Sequence, residues 1–394
     1  MAEAYIYDAV RTPRGKGKNT GSLHEITALS LARQSLEAIR DRNELDTSKV
    51  DDVILGCANQ AGEDNRNVAR MAALLAGLSY SVPGVTVNRL CGSGLEAVIQ
   101  AARAIHAGEG DIFIAGGVES MTRAPYSLPK YSKGAARGNQ TAFDTSLGWR
   151  YPNPKMAERF PLEAMFETAE NLAEKYSITR EEQDEYALES HQKAIAAVDK
   201  NLFNQEITPV EITGRKGAVH TVSQDEGPRK DSSLEKLASL RPLVSLPPLN
   251  RSDGSITAGN SSTLNDGAAA VLVVSEKGLS ALGAEPMARY LGSGSAGVDP
   301  RIMGIGPAPA SQKALIRADK KISDIDIVII STPMSQYEKI IPNLNKFLGK
   351  KSIITDVGST KQNVLNLKNK KLNKSLDWIL SHPISGSEVS GPEY

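Results

Sequence analysis

A cysteine in a glycine-rich turn is the residue of this sequence best suited to chemistry. Cys91 belongs to the run Cys91-Gly92-Ser93-Gly94, which follows the apolar segment Gly84-Val85-Thr86-Val87. It precedes apolar residues at helical spacing, and the helix is expected to end at Gly108. A thiol at the start of a helix lies at the positive end of the helix dipole, which favours the thiolate form. A buried structural cysteine is the alternative, since free cysteines usually lie in the core. The strand, turn and helix together favour a nucleophile, with room for a substrate beside the small residues.

A second glycine-rich segment resembles a nucleotide-binding motif but has the wrong context. Gly292-Ser293-Gly294-Ser295-Ala296-Gly297 matches the pattern G-x-G-x-x-G of dinucleotide-binding turns. That pattern requires a helix directly after the glycines, whereas Val298-Asp299-Pro300 follows here. We therefore predict a glycine-rich turn that holds no nucleotide.

Strand-like and helix-like segments alternate through residues 1–120. Apolar runs at 5–7, 53–55, 85–87 and 112–115 alternate with helical patterns at 26–42, 65–76 and 94–106. This alternation predicts a wound α/β sheet with right-handed crossovers. Residues 121–247 break the pattern and indicate a loop-rich insertion over the core, with one helix pair between Glu167 and Ala197. A strand at Ser255-Ile256-Thr257 and the small-residue run Ala268 to Val274 are expected to complete the sheet.

The composition argues against several classes of protein. The formal net charge of the 394 residues is zero, which gives no electrostatic sign of nucleic-acid or membrane binding. The longest apolar run, Ala268 to Val274, is too short to span a bilayer, and the N-terminus lacks the apolar segment of a signal peptide. Cys57 and Cys91 are the two cysteines, too few for a disulfide framework or a cysteine metal site. We expect a cytoplasmic protein without a metal.

Residues 319–394 differ in composition from the rest of the chain. The last arginine is Arg317 and the last alanine is Ala318, although lysine and asparagine remain frequent beyond them. Such a shift is typical of a boundary between segments of different ancestry. Strand-like runs at 325–331, 352–355 and 378–380 flank helix-like runs at 336–347 and 362–367. The tail is therefore predicted to be a βαβαβ segment, half of a doubly wound sheet.

Residues 1 to about 318 resemble the thiolase family, the acetyl-CoA C-acyltransferases. Five segments carry the resemblance, in this order: Asp8 to Pro13, Leu90 to Gly94, Ala115 to Met121, Thr257 to Asn260 with Asn265 to Ala268, and Met303 to Pro307. The run Gly56 to Arg70 and Phe143-Asp144-Thr145 are most similar to 3-oxoadipyl-CoA thiolases. The resemblance implies a layered α/β core. It also implies a cysteine thiolate that takes up an acyl group and passes it to CoA or to the α-carbon of acetyl-CoA.

The same resemblance implies roles for individual residues. Cys91 matches the acyl-thioester nucleophile, and Met165, Arg229 and Ser262 match positions that contact CoA. Arg229 would lie near the phosphates and Ser262 near the pantetheine. The residues flanking Met165 depart from those common in relatives, so the acyl chain is left open. CoA would act as a substrate with no further cofactor, and the core would form a homo-oligomer, a dimer or a tetramer.

Three segments that thiolases carry nearer their C-terminus do not occur in this sequence. They are an Asn-Glu-Ala-Phe segment, a Gly-His-Pro loop whose histidine activates the nucleophile, and a Cys-x-Gly loop whose cysteine is the acid and base. After Ser323-Asp324-Ile325-Asp326 the sequence continues instead with Ile329-Ile330-Ser331-Thr332-Pro333. His382-Pro383 could stand for the histidine loop, but its flanking residues favour another origin. The resemblance therefore implies an impaired thiolase.

The tail resembles an internal fragment of a prephenate dehydrogenase. The segments concerned are Ser331-Thr332-Pro333, Thr355 to Lys361 and His382 to Tyr394. In that family the residues matching Ser359 and His382 belong to the active site. Residues 319–394 contain no glycine-rich turn that could hold a dinucleotide pyrophosphate. NAD(P) is therefore expected only if the tail were functional.

The whole chain is predicted to be a chimera, joined between about Arg317 and Asp326. Its expected parts are an α/β half at 1–120, completed by about 248–275, and a CoA-binding insertion at 121–247. They continue with the start of the C-terminal thiolase half at 276–318 and a partial Rossmann-like tail at 319–394. Two alternatives remain open. One is a non-catalytic acyl-CoA-binding chimera, and the other is an NAD(P)-dependent oxidoreductase of tyrosine biosynthesis carried by the tail alone.

Overall fold

The computed structural model describes residues 2–130, 138–214, 217–246, 248–283 and 285–321, and the strands at 327–330, 353–356 and 377–380. It divides into two units. The first comprises Met1–Tyr151, Phe203–Gly227 and Leu264–Leu291, and the second comprises Pro152–Leu202, Pro228–Thr263 and Gly292–Tyr394. No helix within the described ranges is long and apolar enough to cross a membrane.

The elements follow one another in a mixed order of strands and helices. The strands are β1 (Ala4–Arg11), β2 (Gly15–Lys16), β3 (Asp52–Gly56), β4 (Gly84–Val87), β5 (Ile112–Ser120), β6 (Tyr126–Ser127), β7 (Phe143–Asp144), β8 (Val210–Thr213), β9 (Val219–Val222), β10 (Asn265–Val274), β11 (Ala288–Tyr290), β12 (Ile327–Ile330), β13 (Ile353–Asp356) and β14 (Asp377–Leu380). The α-helices are α1 (Ala28–Arg42), α2 (Val68–Leu75), α3 (Ser93–Ala107), α4 (Pro154–Arg159), α5 (Met165–Tyr176), α6 (Arg180–Asp199), α7 (Leu234–Ala238), α8 (Glu276–Leu282) and α9 (Pro307–Arg317). Short 3-10 helices occur at Thr47–Lys49, Leu243–Ser245 and Pro300–Ile305.

The main sheet of the first unit has the strand order β11-β1-β10-β5-β3-β4, and β2 also pairs with β10. β3 is parallel to both β4 and β5, whereas β10 is antiparallel to β1 and β5. α2 connects β3 to β4, and α3 connects β4 to β5 on the far side of β3, as expected for crossovers between parallel strands. The layered α/β core and the use of Ala268 to Val274 as a core strand are confirmed.

Helices cover both faces of this sheet because its central strands are apolar on both sides. On β3, Val53 and Leu55 belong to one hydrophobic cluster with residues of α1 and α2, whereas Ile54 belongs to a second cluster with residues of α3. On β10, Leu272 lies in the first cluster and Val273 in the second. Successive side chains of a strand point to opposite faces, which explains this division. The result is a sheet between two helical layers.

The helix that follows the cysteine turn ends where its sequence predicts. α3 spans Ser93–Ala107, and Gly108 after it has a φ of 78°, in the left-handed region. The Gly108 N–H donates to the carbonyl groups of Ala104 and Ile105. Glycine is favoured at such a helix end because it has no Cβ to clash in this conformation.

The strand expected at Ser255-Ile256-Thr257 does not form, so this prediction is wrong. Thr257 makes only an isolated antiparallel bridge with Pro242. The carboxylate of the buried Glu170 on α5 accepts the Ser255 N–H at 2.7 Å and the Ile256 N–H at 2.8 Å. Because these donors bind a side chain instead of a neighbouring strand, the segment continues as a loop.

The second unit contains the helix pair expected between Glu167 and Ala197, which is present as α5 and α6. The segment 292–297 continues as coil into the 3-10 helix Pro300–Ile305, so no α-helix follows the glycine pattern directly. In the tail, β12, β13 and β14 form a parallel three-stranded sheet in that order, which confirms the predicted strands. The predicted helices 336–347 and 362–367 lie outside the described residues. The domain boundaries proposed from the sequence remain predictions.

Gly56 at the end of β3 provides a test of how α3 is placed on the sheet. A Cβ at Gly56 would lie 2.3 Å from the Ser93 carbonyl carbon and 2.5 Å from the Gly94 nitrogen, both backbone atoms. We expect Gly56→Ala to cost about 1–3 kcal/mol of stability, because the start of α3 must move away. Gly297→Ala is the control, since no atom lies within 4 Å of its Cβ position. The measurement is the thermal unfolding midpoint. Equal midpoints for the two variants would contradict the prediction.

Candidate active site

Cys91 lies in the turn between β4 and α3, and its side chain is exposed. The next residue, Gly92, is the N-cap of α3, and no side chain caps this helix. A helix N-terminus carries a positive partial charge and backbone N–H groups without intrahelical partners. The thiol therefore occupies a position where a thiolate is stabilised. This agrees with the spacing of the sequence, and the catalytic role remains a prediction.

The turn that carries Cys91 is strained and held by hydrogen bonds. Leu90 has a φ of 48°, a left-handed conformation that costs a residue with a Cβ about 1–2 kcal/mol. The Leu90 N–H donates to Asn88 Oδ1 at 2.8 Å, and the Leu90 carbonyl accepts from Ser93 Oγ at 2.5 Å. Ser93 Oγ in turn accepts the Arg89 N–H at 2.8 Å. These bonds offset the strain and fix the backbone on both sides of Cys91.

A buried carboxylate lies in the first turn of α3. Glu96 is 5% exposed, accepts from Arg89 Nε at 2.8 Å and lies 3.7 Å from Arg103 Nη1. The hydrogen bond from Arg89 lowers the pKa of Glu96, so this group is ionised at neutral pH. A negative charge in the first turn also complements the helix dipole. Glu96 thus ties the residue two positions before Cys91 to the helix and is unsuited to act as a general acid.

The second cysteine is not accessible. Cys57 is buried, and its Sγ lies 3.4 Å from the Asn59 carbonyl oxygen and 3.7 Å from Asp64 Oδ2, two acceptors for its single S–H. Burial, with the nearby charges of Glu119 and Asp64, raises the pKa of the Cys57 thiol well above its usual range. We therefore expect Cys57 to remain a protonated, unreactive thiol at neutral pH.

Three side chains that could be metal ligands lie close together. The possible ligand atoms of Cys57, Asp64 and Glu119 are within 4.8 Å of one another. The carboxylates already have protein donors. Asp64 Oδ1 accepts the Gly62 N–H at 3.0 Å, and Glu119 Oε2 accepts the Ala58 N–H at 2.8 Å. These bonds close the loop after β3 onto β5, which gives the cluster a structural explanation.

Two motif residues of the first unit hold loops in place. Asp266 is 1% exposed, and it accepts the Thr122 N–H at 3.0 Å and the Thr122 hydroxyl at 2.5 Å. Burial raises the pKa of Asp266. Arg11 donates to both carboxylate oxygens of Asp225, at 2.8 and 3.0 Å. Asp266 thus holds the segment after β5 in place, and Arg11 holds the segment after β9.

In the second unit, the motif residue Asn260 organises its own turn. Its Oδ1 accepts the Thr257 N–H at 2.7 Å, and its Nδ2 donates to Asp184 Oδ1 at 3.0 Å. Thr257 is fully buried. The turn before Ser262 is therefore attached to α6 through a partly buried polar contact.

The three candidate CoA-binding residues all belong to the second unit. Met165 is the first residue of α5 and is half-buried, and Ser262 is half-buried in the loop after Asn260. Arg229 is exposed in the loop before α7, and its backbone N–H donates to His191 Nδ1 at 3.2 Å. Ser359 and His382, the candidates in the tail, lie outside the described residues.

Sequence reasoning missed two features of these sites. Glu96 could have been noticed as an acidic residue in the first turn of a predicted helix, seven positions after Arg89. No local pattern links His191 to Arg229, because that contact arises only when α6 and the later loop come together.

Comparisons with known proteins relate the chain to two families. The family described as "Thiolase, N-terminal domain" matches residues 4–277, and "Prephenate dehydrogenase, nucleotide-binding domain" matches residues 311–394. The chain is 50% identical over 329 residues to the Escherichia coli (strain K12) "3-oxoadipyl-CoA/3-oxo-5,6-dehydrosuberyl-CoA thiolase", covering 83% of this chain and 80% of the relative. It is 51% identical over 327 residues to a Pseudomonas aeruginosa "Beta-ketoadipyl-CoA thiolase", covering 83% and 79% of the two chains.

A solved structure shows the same fold. The acetyl-CoA acetyltransferase of Bacillus anthracis superposes with a TM-score of 0.76 at 37% identity, over 98% of this chain and 89% of that one. The tail is similar to a prephenate dehydrogenase domain, as its residues predicted, so the resemblance of the chain to two families is confirmed. With a family match over residues 4–277 and these levels of identity, the chain belongs to the thiolase family.

Proposed function

We propose that this chain is a thiolase-type acyltransferase in which Cys91 forms an acyl-enzyme with 3-oxoacyl-CoA substrates such as 3-oxoadipyl-CoA. The observation that carries the proposal is the exposed thiol at the uncapped N-terminus of α3. Half of the aligned residues are identical to those of an Escherichia coli thiolase named for that substrate, which supports the substrate class.

The chemistry begins with the Cys91 thiolate, which adds to the 3-oxo carbon of the substrate. The addition places a negative charge on the 3-oxo oxygen. As that oxygen re-forms its double bond to carbon, the bond between this carbon and the α-carbon breaks, and the α-carbon takes a proton from solvent to become acetyl-CoA. The acyl group remains on Sγ until the sulfur of a second CoA, which gives its proton to solvent, attacks it and Cys91 leaves as thiolate. The α3 N-terminus stabilises the thiolate before and after the reaction.

We propose that Met165, Arg229 and Ser262 bind CoA, which serves as a substrate without a resident cofactor. An exposed guanidinium suits phosphate recognition because its N–H groups can donate to two oxygens at once. The hydroxyl of Ser262 can donate to or accept from the amide-containing pantetheine arm. Met165 offers a flexible apolar side chain for an acyl or pantetheine contact.

The proposal is tested by combining CoA titration with acylation of the thiol. We expect saturable CoA binding by calorimetry, and the mass increase of one acetyl group on the Cys91 peptide after incubation with acetyl-CoA. Cys57 serves as an internal control, since it is buried and should stay unmodified. CoA binding without acylation would instead support a non-catalytic acyl-CoA-binding protein. Absence of both would refute the proposal.

The match of residues 311–394 to a dehydrogenase domain gives the tail a second candidate function, as an NAD(P)-dependent oxidoreductase. Residues 319–394 contain no glycine-rich turn for the pyrophosphate, and the pattern at 292–297 is not followed directly by an α-helix. We therefore expect no NAD binding when the protein is titrated by calorimetry. Saturable NAD binding at micromolar affinity, or reduction of NAD in the presence of prephenate, would support the oxidoreductase function of the tail.

We further propose that the thiolase core assembles as a homo-oligomer through the edge of its main sheet. Within the described sheet, β4 is an edge strand that pairs only with β3. Val85 on β4 is exposed, as are Leu75 at the end of α2 and Tyr80 in the segment between α2 and β4. An unpaired apolar edge favours pairing with another strand, and a second copy of this chain offers a matching one.

A further inference from the structure

The loop that carries Arg229 is attached to α6 at two points within the second unit. The Arg229 N–H donates to His191 Nδ1 at 3.2 Å. The next residue, Lys230, places its Nζ 3.2 Å from Oδ1 of Asp199, the last residue of α6. Both α6 side chains thus hold consecutive residues of the loop, one through the backbone and one through an ion pair.

The two attachments differ in how strongly they restrain the backbone of the loop. Lys230 and Asp199 are both exposed, and exposed ion pairs between long side chains restrain their backbone weakly. His191 is half-buried on a helix, has fewer rotatable bonds and binds a main-chain donor directly. Accepting at Nδ1 requires the ring proton on Nε2. Of the two attachments, the histidine is the one that restrains the Arg229 backbone directly.

The position of this backbone matters because Arg229 is a long, flexible side chain. Ordering such a side chain on a ligand costs conformational entropy, and the cost falls when the backbone from which it extends is already fixed. Arg229 is exposed, so few contacts of its own side chain can supply that order.

We propose that His191 is a positioning residue for CoA recognition, which acts by holding the Arg229 backbone so that its guanidinium meets the CoA phosphates. This inference rests on the proposed function, in which Arg229 binds CoA. His191 itself contacts no reacting atom in this proposal. Replacing His191 should therefore weaken the binding of substrates that carry phosphates and leave the binding of substrates without phosphates unchanged.

The test is single-turnover acylation of Cys91 by two thioesters, acetyl-CoA and acetyl-N-acetylcysteamine, of which the second has no phosphate. For His191→Ala we expect the half-saturating acetyl-CoA concentration to rise about 3- to 10-fold, the loss typical of one net hydrogen bond. The value for acetyl-N-acetylcysteamine should not change. His191→Asn should restore most of the loss, because its Oδ1 can accept in place of Nδ1. His220→Ala, at an exposed histidine of β9, is the matched control.

A double-mutant cycle gives an independent readout. In an Arg229→Ala background, His191→Ala should add nothing to the acetyl-CoA effect, because the side chain that it positions is gone. An equal change for both thioesters, or a full additional loss in the Arg229→Ala background, would overturn the inference.

Calorimetric titration with CoA separates this inference from the proposed function. If neither thioester acylates Cys91, the proposed chemistry fails, while a 3- to 10-fold weaker CoA affinity of His191→Ala would still support the positioning role. Unchanged CoA affinity in that variant would refute it. If the protein without any substitution binds no CoA, both the proposed function and the positioning role of His191 are refuted.

Discussion

Purified protein with these 394 residues is expected to thiolyse 3-oxoadipyl-CoA at least about 10⁴-fold more slowly than the Escherichia coli relative. The Gly-His-Pro and Cys-x-Gly loops, which supply the activating histidine and the acid–base cysteine in thiolases, do not occur in the sequence. Each general acid–base group contributes about 10²–10⁴-fold, so the loss of two gives about 10⁴–10⁸. Glu96 cannot replace them because its pKa is lowered and it is engaged by Arg89. The measurement is loss of 3-oxoacyl-CoA absorbance, with both proteins assayed side by side.

The control exchanges residues 319–394 for the C-terminal segment of the Escherichia coli relative. If the missing loops alone limit turnover, this hybrid should approach the rates usual for enzymes, about 1–10³ s⁻¹. A rate in that range for the unaltered chain would show that other groups supply the base and the acid.

Cys91→Ser is expected to reduce the rate of acylation by acetyl-CoA at least about 100-fold, the contribution of the general base that a serine would need. A serine hydroxyl is a weak nucleophile unless an adjacent base activates it, whereas a thiolate at a helix N-terminus needs no base at the moment of attack. The uncapped start of α3 stabilises a thiolate but cannot ionise a hydroxyl. The measurement is the time course of acetyl transfer to the protein by intact mass.

Cys57→Ala is the matched control, because it removes the other thiol and should leave the acylation rate unchanged. Brief iodoacetamide treatment of the unaltered protein gives a further check, since Cys91 is exposed and Cys57 is buried. Acylation that persisted in Cys91→Ser and vanished in Cys57→Ala would reverse the assignment of the nucleophile.

Much of the fold could be predicted because its signals are local. The spacing of apolar residues after Cys91 predicts α3, and Gly108 predicts its end, since both depend on helix geometry alone. The strand expected at Ser255 failed for the opposite reason. Its N–H groups bind Glu170, a residue on a distant helix that no window around Ser255 contains.

In the candidate site, too, the features that depend on local sequence could be predicted, and those that depend on distant residues could not. The exposure of Cys91 and its place before α3 follow from the strand, turn and helix pattern. The bonds that hold the turn could not be predicted in detail, because they depend on the left-handed Leu90 and on the ion pair of Arg89 with Glu96. The contact of His191 with Arg229 needs the packed structure of α6 against the loop.

The central place of β10 also sets the order in which the chain can fold. β10 pairs with β1 on one side and β5 on the other, so the main sheet stays divided until residues 265–274 have left the ribosome. Until then the apolar edges of β1 and β5 must avoid other partners, which is the condition under which nascent chains aggregate or bind chaperones. Closing the sheet across the long connection 121–264 between β5 and β10 adds contacts of high sequence separation, which slow folding. A fragment that ends before β10 should therefore be insoluble, however complete its first four major strands are.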